Sequence, residues 1–400
     1  MMKLNAKYDG VYCNMENNKE NQTEGFFVIE NNPEITDYTG ILQQTFNENE
    51  RIYISSGTYE VSETLLVPSN RYIKASPDAR IKYIAKRNMN RYDFLLSNSD
   101  TVIGNEDITI EGGIWDGGNY APYNRKRHDL FSVTGCCGAC INFVGVKNLT
   151  LKGMEITNTI AFYIRMSRIM NFRISDITFS GEKLTSNQDG IHMGGDVFNG
   201  LIENIRSATY GQTGDDLLAF NADDSVIRHD NRGLTCGPIG NITVNNVYAE
   251  CCHCAVRFCS VVSPIYNIRI TNLEAGCKNG GINADAARYC RTPLFPEREA
   301  PEGVGCLENI VIDGFTFNYV NETDNPVFVL ESHADKFEII NYNRRRDIDK
   351  APSAPDFRAK NLTRQIITKG EERHILTKKD EVFSCSGFDG IRLDYAYEEK

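Results

Sequence analysis

One short motif recurs along the central part of this 400-residue chain. A turn residue is followed by an apolar–polar–apolar triplet, a two-residue break and another apolar residue. Alternation of this kind over a short run is typical of a strand with one buried face. Each copy therefore predicts two short strands separated by a polar corner. The copies are Asp107–Ile114, Asn148–Met154, Asn171–Ile177, Gly240–Val247, Asn267–Leu273 and Asn309–Phe315, with a degenerate copy at 201–205.

The spacing of these copies indicates how the strands stack. Consecutive copies lie about 23 to 42 residues apart, which fits one turn of a wide solenoid plus loop insertions of varying length. No helical period is sustained between them, so a parallel sheet connected by helices is disfavoured. We predict an all-β fold, a single-stranded right-handed parallel β-helix. Interior Asn residues at the corners are expected to hydrogen-bond from one turn to the next.

The ends of the chain depart from the repeat. Residues 1–50 are predicted to form an N-terminal cap region, with a small helix near Tyr38–Phe46, because a terminal repeat must have its core covered. Residues 51–335 are predicted to form the parallel β-helix catalytic domain. The pattern fades after Phe328, so 336–400 is predicted to be an irregular excursion and C-terminal capping segment. A last strand is expected between Val382 and Leu393.

Composition excludes some partners. The net charge is −11 and no basic run is interleaved with aromatic residues, so no nucleic-acid partner is predicted. An apolar run that could enter a membrane or direct export is missing from the sequence, which predicts a cytoplasmic protein with no membrane partner. The oligomeric state is left open.

Thirteen cysteines are unusual for a chain of this length. In the cytoplasm they are expected to be thiols. Two clusters, Cys136-Cys137-x-x-Cys140 and Cys251-Cys252-His253-Cys254, are interpreted as packing within stacked strands. A thiolate metal site is the alternative, although neither cluster has the ligand spacing of a zinc finger or ribbon.

Three aspartates stand at strand tips near the middle of the chain. Asp189 lies in Asn187-Gln188-Asp189-Gly190, and Asp215-Asp216 follow 26 residues later, which is one turn of the solenoid. Adjacent strands lie about 4.8 Å apart, so the three carboxylates are expected within several ångströms of one another. At that distance they cannot all stay ionised at neutral pH, and at least one pKa should rise. A protonated carboxyl can protonate a leaving oxygen while an ionised one activates water.

In order and placement these motifs resemble glycoside hydrolase family 28, the polygalacturonases and their pectin-degrading relatives. The resemblance covers roughly residues 50–320 and implies a pectate-lyase-like solenoid. Two departures concern the family's Gly-His-Gly motif, where Cys236–Gly240 stands instead, and the Lys of Arg-Ile-Lys, replaced by Phe258-Cys259. The matching segments are 53–73, Gly113–Gly118, Asn187–Gly190 (Asn-Thr-Asp in the family), Gly214–Asp216 (Gly-Asp-Asp) and Val256–Phe258 (Arg-Ile-Lys).

The resemblance implies an inverting glycosidase that acts on a pectin-type or related oligosaccharide or polysaccharide, with no metal and no other cofactor. It assigns Asp215 as general acid, with Asp189 and Asp216 positioning and deprotonating the water. Arg257 would bind an anionic or polar part of the sugar.

Four further groups are candidate substrate contacts. Asn187 and Asp223 flank the aspartates in sequence, and His192 is predicted on the same side of its strand as Gly190. A basic, aromatic loop, Tyr123–Arg127, contacts either substrate or solvent.

Two other functions fit the same scaffold. A uronate lyase or epimerase would need a base and commonly Ca²⁺, for which Asp215, Asp216, Asp223 and Asp224 are candidate ligands. A non-catalytic glycan-binding β-helix of the tail-spike or adhesin kind would need no acid–base pair.

Overall fold

The computed structural model describes residues 23–84, 94–119, 139–185, 187–224, 234–287 and 302–397. Most strand pairs in these segments are parallel, and the fold is the predicted right-handed parallel β-helix. The loop Tyr123–Arg127 and the cysteines Cys136 and Cys137 lie outside the described residues. No helix in the described segments has the length and apolar character needed to cross a membrane.

The described segments contain one helix, α1 (Thr39–Glu48), and 25 strands. The strands in chain order are β1 (Phe27–Ile29), β2 (Arg51–Ile54), β3 (Gly57–Val61), β4 (Leu65–Val67), β5 (Arg71–Ala75), β6 (Ala79–Tyr83), β7 (Leu96–Asn98), β8 (Asn105–Glu111), β9 (Ile114–Asp116), β10 (Ile141–Lys152), β11 (Glu155–Thr157), β12 (Ile164–Ser180), β13 (Ile191–Met193), β14 (Val197–Ser207), β15 (Asp216–Phe220), β16 (Ile239–Phe258), β17 (Ile265–Ala284), β18 (Leu307–Tyr319), β19 (Phe328–Leu330), β20 (Ala334–Arg344), β21 (Phe357–Lys360), β22 (Gln365–Lys369), β23 (Glu372–Leu376), β24 (Val382–Cys385) and β25 (Gly390–Tyr395).

The recurring motif forms the rungs of the solenoid, each rung being one turn. The second apolar residue of each triplet pairs with its counterpart on the next rung, and these side chains are fully buried. Burying apolar surface in this way is the main favourable term in folding. The resulting column of the core is Ile110, Leu151, Ile174, Ile202, Val244, Ile270, Ile312 and Ile339.

An asparagine ladder runs along one corner, as predicted, but it lies on the outside of the solenoid. Each side-chain amide donates to the side-chain oxygen of the ladder residue on the preceding rung, at 2.7 to 3.3 Å. Every member has φ between +52° and +62°, the left-handed conformation that Asn tolerates best among residues with a side chain. The expected interior position is therefore wrong, because the corner turns the side chain outwards. The ladder is Asp107, Asn148, Asn171, Asn199, Asn241, Asn267 and Asn309.

Replacing a ladder residue should destabilise the solenoid measurably. Asn241 donates to Asn199 at 3.3 Å and accepts from Asn267 at 2.9 Å. Asn241→Ala loses both bonds and keeps a side chain at positive φ, so we expect a loss of about 1–2 kcal/mol in the free energy of unfolding by urea. Asn241→Gly is the matched control, since it loses the ladder but tolerates the backbone. Equal stability of the Ala variant and the unmodified protein would contradict this account.

The N-terminal end is covered as the sequence predicted. The expected helix near Tyr38–Phe46 is α1, which buries Leu42 and Phe46. Apolar side chains of α1 join the same core as the first rungs. This helix therefore shields the open end of the strand stack.

The C-terminal part is more regular than expected. Parallel pairing continues from β18 to β20 and from β19 to β21, so the solenoid extends past the predicted boundary at residue 335. The strands β22 and β23 then form an antiparallel hairpin in a region predicted to be irregular. The expected last strand is present as β24 and β25, which pair antiparallel with β21 and β20.

The central cysteines pack inside the strand stack. Cys251, Cys252 and Cys254 are buried free thiols in β16. The sulfur of Cys252 lies 3.6 Å from that of Cys277 on the next rung. This arrangement matches the packing interpretation of the second cluster.

Candidate active site

The rung spacing brings the three aspartates together. Asp189 lies two residues before β13, and Asp216 begins β15, the next strand of the stack, with Ile191 opposite Leu218. The backbone N–H of Gly190 donates to the carbonyl oxygen of Asp216 at 2.9 Å. Carboxylate oxygens of Asp189, Asp215 and Asp216 all lie within 4.8 Å of one another.

The aspartates differ in exposure and therefore in pKa. Asp189 and Asp216 are 3% and 6% exposed, whereas Asp215 is half-buried. Burial, reinforced by the charge of Asp215, raises the pKa of Asp189 to about 6 against a hydrogen bond from His192 that lowers it. Burial and the charges of Asp215 and Asp189 raise the pKa of Asp216 well above its usual range. Both buried carboxyls are therefore easier to protonate than a free aspartate, which agrees with the expected rise of at least one pKa.

The nearest oxygens of the three carboxylates lie as close together as the strand spacing predicts. In inverting glycosidases the acid and the base, which admit a water between them, are typically about 6.5–9.5 Å apart. In retaining glycosidases the acid and the nucleophile are about 5–5.5 Å apart. The 4.8 Å limit between nearest oxygens lies below both ranges. Distance alone therefore does not argue for inversion here.

His192 faces the aspartates and not the side predicted for it. A side chain on Gly190 would meet the Phe179 ring at 2.8 Å, so Gly190 faces the core. Ile191 is also fully buried, which breaks the alternation of the strand between these two residues. His192 consequently lies on the side of Asp189, with its Nδ1 atom 2.6 Å from Asp189 Oδ2.

Asp223, predicted to contact substrate, is held by main-chain hydrogen bonds in this structure. Asp223 is 1% exposed, and its Oδ2 atom accepts hydrogen bonds from the backbone N–H groups of Val261, Val262 and Ser263 at 2.6 to 2.7 Å. Three such bonds fix the loop that follows β16. Asp223 therefore holds this loop through its buried carboxylate.

Asn187 and Arg257 lie beside the cluster. The backbone N–H of Asn187 donates to Asp215 Oδ2 at 3.1 Å, so this residue orients the carboxylate through its main chain. Arg257 occupies the same strand position as Ala219 on the preceding rung, and its charge lowers the pKa of Asp216 against the larger effects of burial and the other aspartates. Its Nη1 atom lies 3.7 Å from Asp285 Oδ1.

Sequence reasoning missed one buried carboxylate near the site. Asp285 follows directly after β17 and pairs with Arg257. Its position directly after a strand is the signal that could have identified it. Asp224, a candidate Ca²⁺ ligand in the lyase alternative, is 2% exposed and approaches His192.

Comparison with known proteins identifies the class of site. Residues 83–279 match the model of the family described as Glycosyl hydrolases family 28. The chain is a glycosidase that resembles polygalacturonases. The match spans both the Asp189 rung and the Asp215-Asp216 rung, so the resemblance seen in the motifs is confirmed. No curated protein matches the chain.

Solved structures share the fold of this glycosidase at low sequence identity. The endo-xylogalacturonan hydrolase from Aspergillus tubingensis has a TM-score of 0.55 at 12% identity, over 83% of this chain and 95% of that one. The surface adhesin PfbA of Streptococcus pneumoniae has a TM-score of 0.53 at 14% identity, over 86% and 96%. The iota-carrageenase of family GH82 from A. fortis has a TM-score of 0.51 at 12% identity, over 86% and 91%. An adhesin and two hydrolases on one scaffold show that function is set by the site, not the solenoid.

Proposed function

We propose that this glycosidase hydrolyses a glycosidic bond in a pectin-type or related oligosaccharide, with inversion, through Asp189, Asp215 and Asp216. The observation that carries the proposal is the convergence of the three carboxylates within 4.8 Å on neighbouring rungs. The cytoplasmic location predicted from the sequence suits short imported oligosaccharides. Arg257 lies where it can attract an anionic or polar group of the sugar.

Exposure divides the roles among the aspartates. Asp215 is the most accessible of the three, so it is the group that can reach the leaving oxygen and protonate it. Asp189 is largely ionised at neutral pH and serves as the base for water. Asp216 stores the proton of the resting cluster, and its transfer to Asp215 precedes bond cleavage.

Inversion is supported by the number of carboxylates, not by their spacing. With three present, Asp189 and Asp216 can hold one water between them while Asp215 acts on the other side of the bond. A retaining enzyme needs a nucleophile that meets the sugar carbon directly, and the buried Asp189 and Asp216 are poorly placed for that role. The family resemblance implies the same outcome.

The direct test is to incubate the protein with a panel of pectic and other uronate-containing oligosaccharides and to follow new reducing ends. Proton NMR of the first product identifies its anomer, and the inverted anomer is expected. Ultraviolet absorbance from an unsaturated product, together with inhibition by a chelator, would replace hydrolysis with lyase chemistry. Binding without new reducing ends would replace it with glycan recognition.

The pH dependence of hydrolysis follows from the base. Since the pKa of Asp189 is raised from 3.8 to about 6, this carboxylate is protonated below that pH and cannot deprotonate water. We expect kcat/KM to fall as the pH drops through about 6, which a pH–rate profile from mildly acid to neutral solution measures. A profile that stays flat down to the ordinary Asp range would remove Asp189 as the base.

A further inference from the structure

A buried histidine joins two carboxylates in the wall of the site. The Nδ1 atom of His192 lies 2.6 Å from Asp189 Oδ2, and its Nε2 atom lies 3.5 Å from Asp224 Oδ2. His192 is 1% exposed and Asp224 is 2% exposed. The two carboxylates come from different rungs, because Asp189 precedes β13 and Asp224 follows β15.

The packing around His192 holds the ring in this orientation. The Phe162 ring lies against the imidazole, with centroids 4.2 Å apart. Arg165 on the preceding rung and Ala219 on the following rung occupy the same strand position as His192. The guanidinium of Arg165 is directed to Asn142, whose side-chain oxygen accepts a hydrogen bond at 2.5 Å.

The charges around the ring favour its protonated form. Burial lowers the pKa of His192, but the hydrogen bond that it donates to Asp189 and the negative charges of Asp189 and Asp224 outweigh burial and raise the pKa to about 9. Arg165, one rung before, and Arg257, two rungs after, occupy the same strand position as His192. The charge of Asp215 acts on Asp189, the hydrogen-bond partner of the ring.

We propose that Asp224 is a positioning residue that acts through His192 to orient Asp189 towards the water. The imidazolium donates its Nδ1 proton to Asp189 and faces Asp224 through its Nε2 proton. The His192 cation favours the ionised form of Asp189, whereas the charges of Asp215 and Asp224 disfavour it. This inference rests on the proposed function, in which Asp189 is the base.

The kinetic test uses three variants. Asp224→Asn keeps the shape of the side chain but removes its charge, so the imidazolium is less firmly held and Asp189 is less well oriented, whereas His192→Gln also removes the cation that favours ionised Asp189. We expect kcat/KM at neutral pH to fall by about 10-fold or more in both variants. The acid limb should move to higher pH, by about one unit or more, only in His192→Gln. Asp107→Asn is the matched control, because this ladder residue keeps its accepting oxygen, and its profile should not move.

A second readout is independent of activity. Nitrogen-15 NMR of the six histidines, with His192 assigned by its loss in His192→Gln, reports the protonation of its ring in the sugar-free protein. We expect both ring nitrogens of His192 to be protonated at neutral pH, with a pKa lowered by about one unit in Asp224→Asn. Should Asp224→Asn not fold, the wild-type titration and His192→Gln carry the test.

The outcomes separate this inference from the proposed function. A neutral His192 at pH 7, or a His192 titration and a kcat/KM that Asp224→Asn leaves unchanged, would overturn the role of Asp224. A shifted His192 titration in a protein that releases no reducing ends would overturn the proposed hydrolysis while showing that the three groups form one unit. A shifted His192 titration together with the loss of kcat/KM supports both.

Discussion

Asp215→Asn is expected to lower kcat/KM for an oligosaccharide by at least about 100-fold while leaving the fold intact, since positioned general acids contribute about 10² to 10⁴. The amide has the shape of the carboxyl, and Asp215 is half-buried, so little packing is disturbed. The backbone N–H of Asn187 can still donate to the amide oxygen at this position. The loss therefore reports chemistry and not misfolding.

A substrate with a good leaving group separates the acid from the base. Nitrophenyl glycosides depart without protonation, so Asp215→Asn should retain a much larger share of its activity on them than on an oligosaccharide. Asp189→Asn lacks the base and should lose activity on both substrates alike. Asp107→Asn, the same chemical change in the asparagine ladder, should resemble the unmodified protein on both.

The opposite pattern would reassign the roles. If Asp216→Asn is the variant rescued by the nitrophenyl leaving group and Asp215→Asn is not, the proton is delivered from Asp216 directly. The raised pKa of Asp216 makes this the sharpest rival within the cluster. Full turnover of an oligosaccharide by Asp215→Asn would end the mechanism.

The convergence of the aspartates could be predicted because one turn of the solenoid separates them in sequence. Strand stacking converts that separation into a distance set by backbone hydrogen bonds, with no need to know the loops. The asparagine ladder follows from the same periodicity. The outward direction of the ladder side chains could not be predicted, because it depends on the positive φ of each corner residue. The residue types permit this conformation but do not require it.

The surroundings of the aspartates could not be predicted because they depend on local breaks in that periodicity. Gly190 and Ile191 both face the core, and this single irregularity moves His192 to the side of Asp189. Asp223 and Asp224 are adjacent in sequence, yet one supports the loop at 261–263 and the other faces the histidine. Neither the loop at 261–263 nor His192 lies near these two aspartates in the sequence, so no spacing rule predicts the contacts.

Arg344→Met is expected to reduce the free energy of unfolding by about 3–5 kcal/mol, because it leaves the buried Asp349 without its guanidinium partner and removes one of the two arginines that pair with Asp356. The Arg344 side chain is 2% exposed, and those of Asp349 and Asp356 are 0% exposed. The guanidinium donates to both carboxylates and to the carbonyl oxygens of Ala351 and Ala354. Urea unfolding followed by far-ultraviolet circular dichroism measures the loss.

The cluster of Arg344, Asp349 and Asp356 attaches the C-terminal cap, the segment after β20, to the last rungs of the solenoid. Arg344 ends β20, while Asp356 also accepts hydrogen bonds from Tyr342 and from the backbone N–H of Gly387. Burial alone would raise the pKa of Asp356, but the hydrogen bonds from Arg344 and Gly387 lower it overall. A lowered pKa means that this stabilisation is present above the ordinary Asp value and is lost as the pH falls through the folded value. The difference in the free energy of unfolding between Arg344→Met and the unmodified protein should therefore become smaller in strong acid.

Arg269→Met is the matched control for a pair in solvent. Arg269 and Asp313 lie 3.0 Å apart on the surface, with side chains 53% and 26% exposed. Surface ion pairs are worth about 0–1 kcal/mol, so this variant should unfold close to the midpoint of the unmodified protein. If the two arginine variants lose the same stability, burial of the Arg344 cluster does not govern the attachment of the cap. A large loss of stability confined to Arg344→Met would show that a buried ion-pair cluster stabilises the C-terminal end of the solenoid.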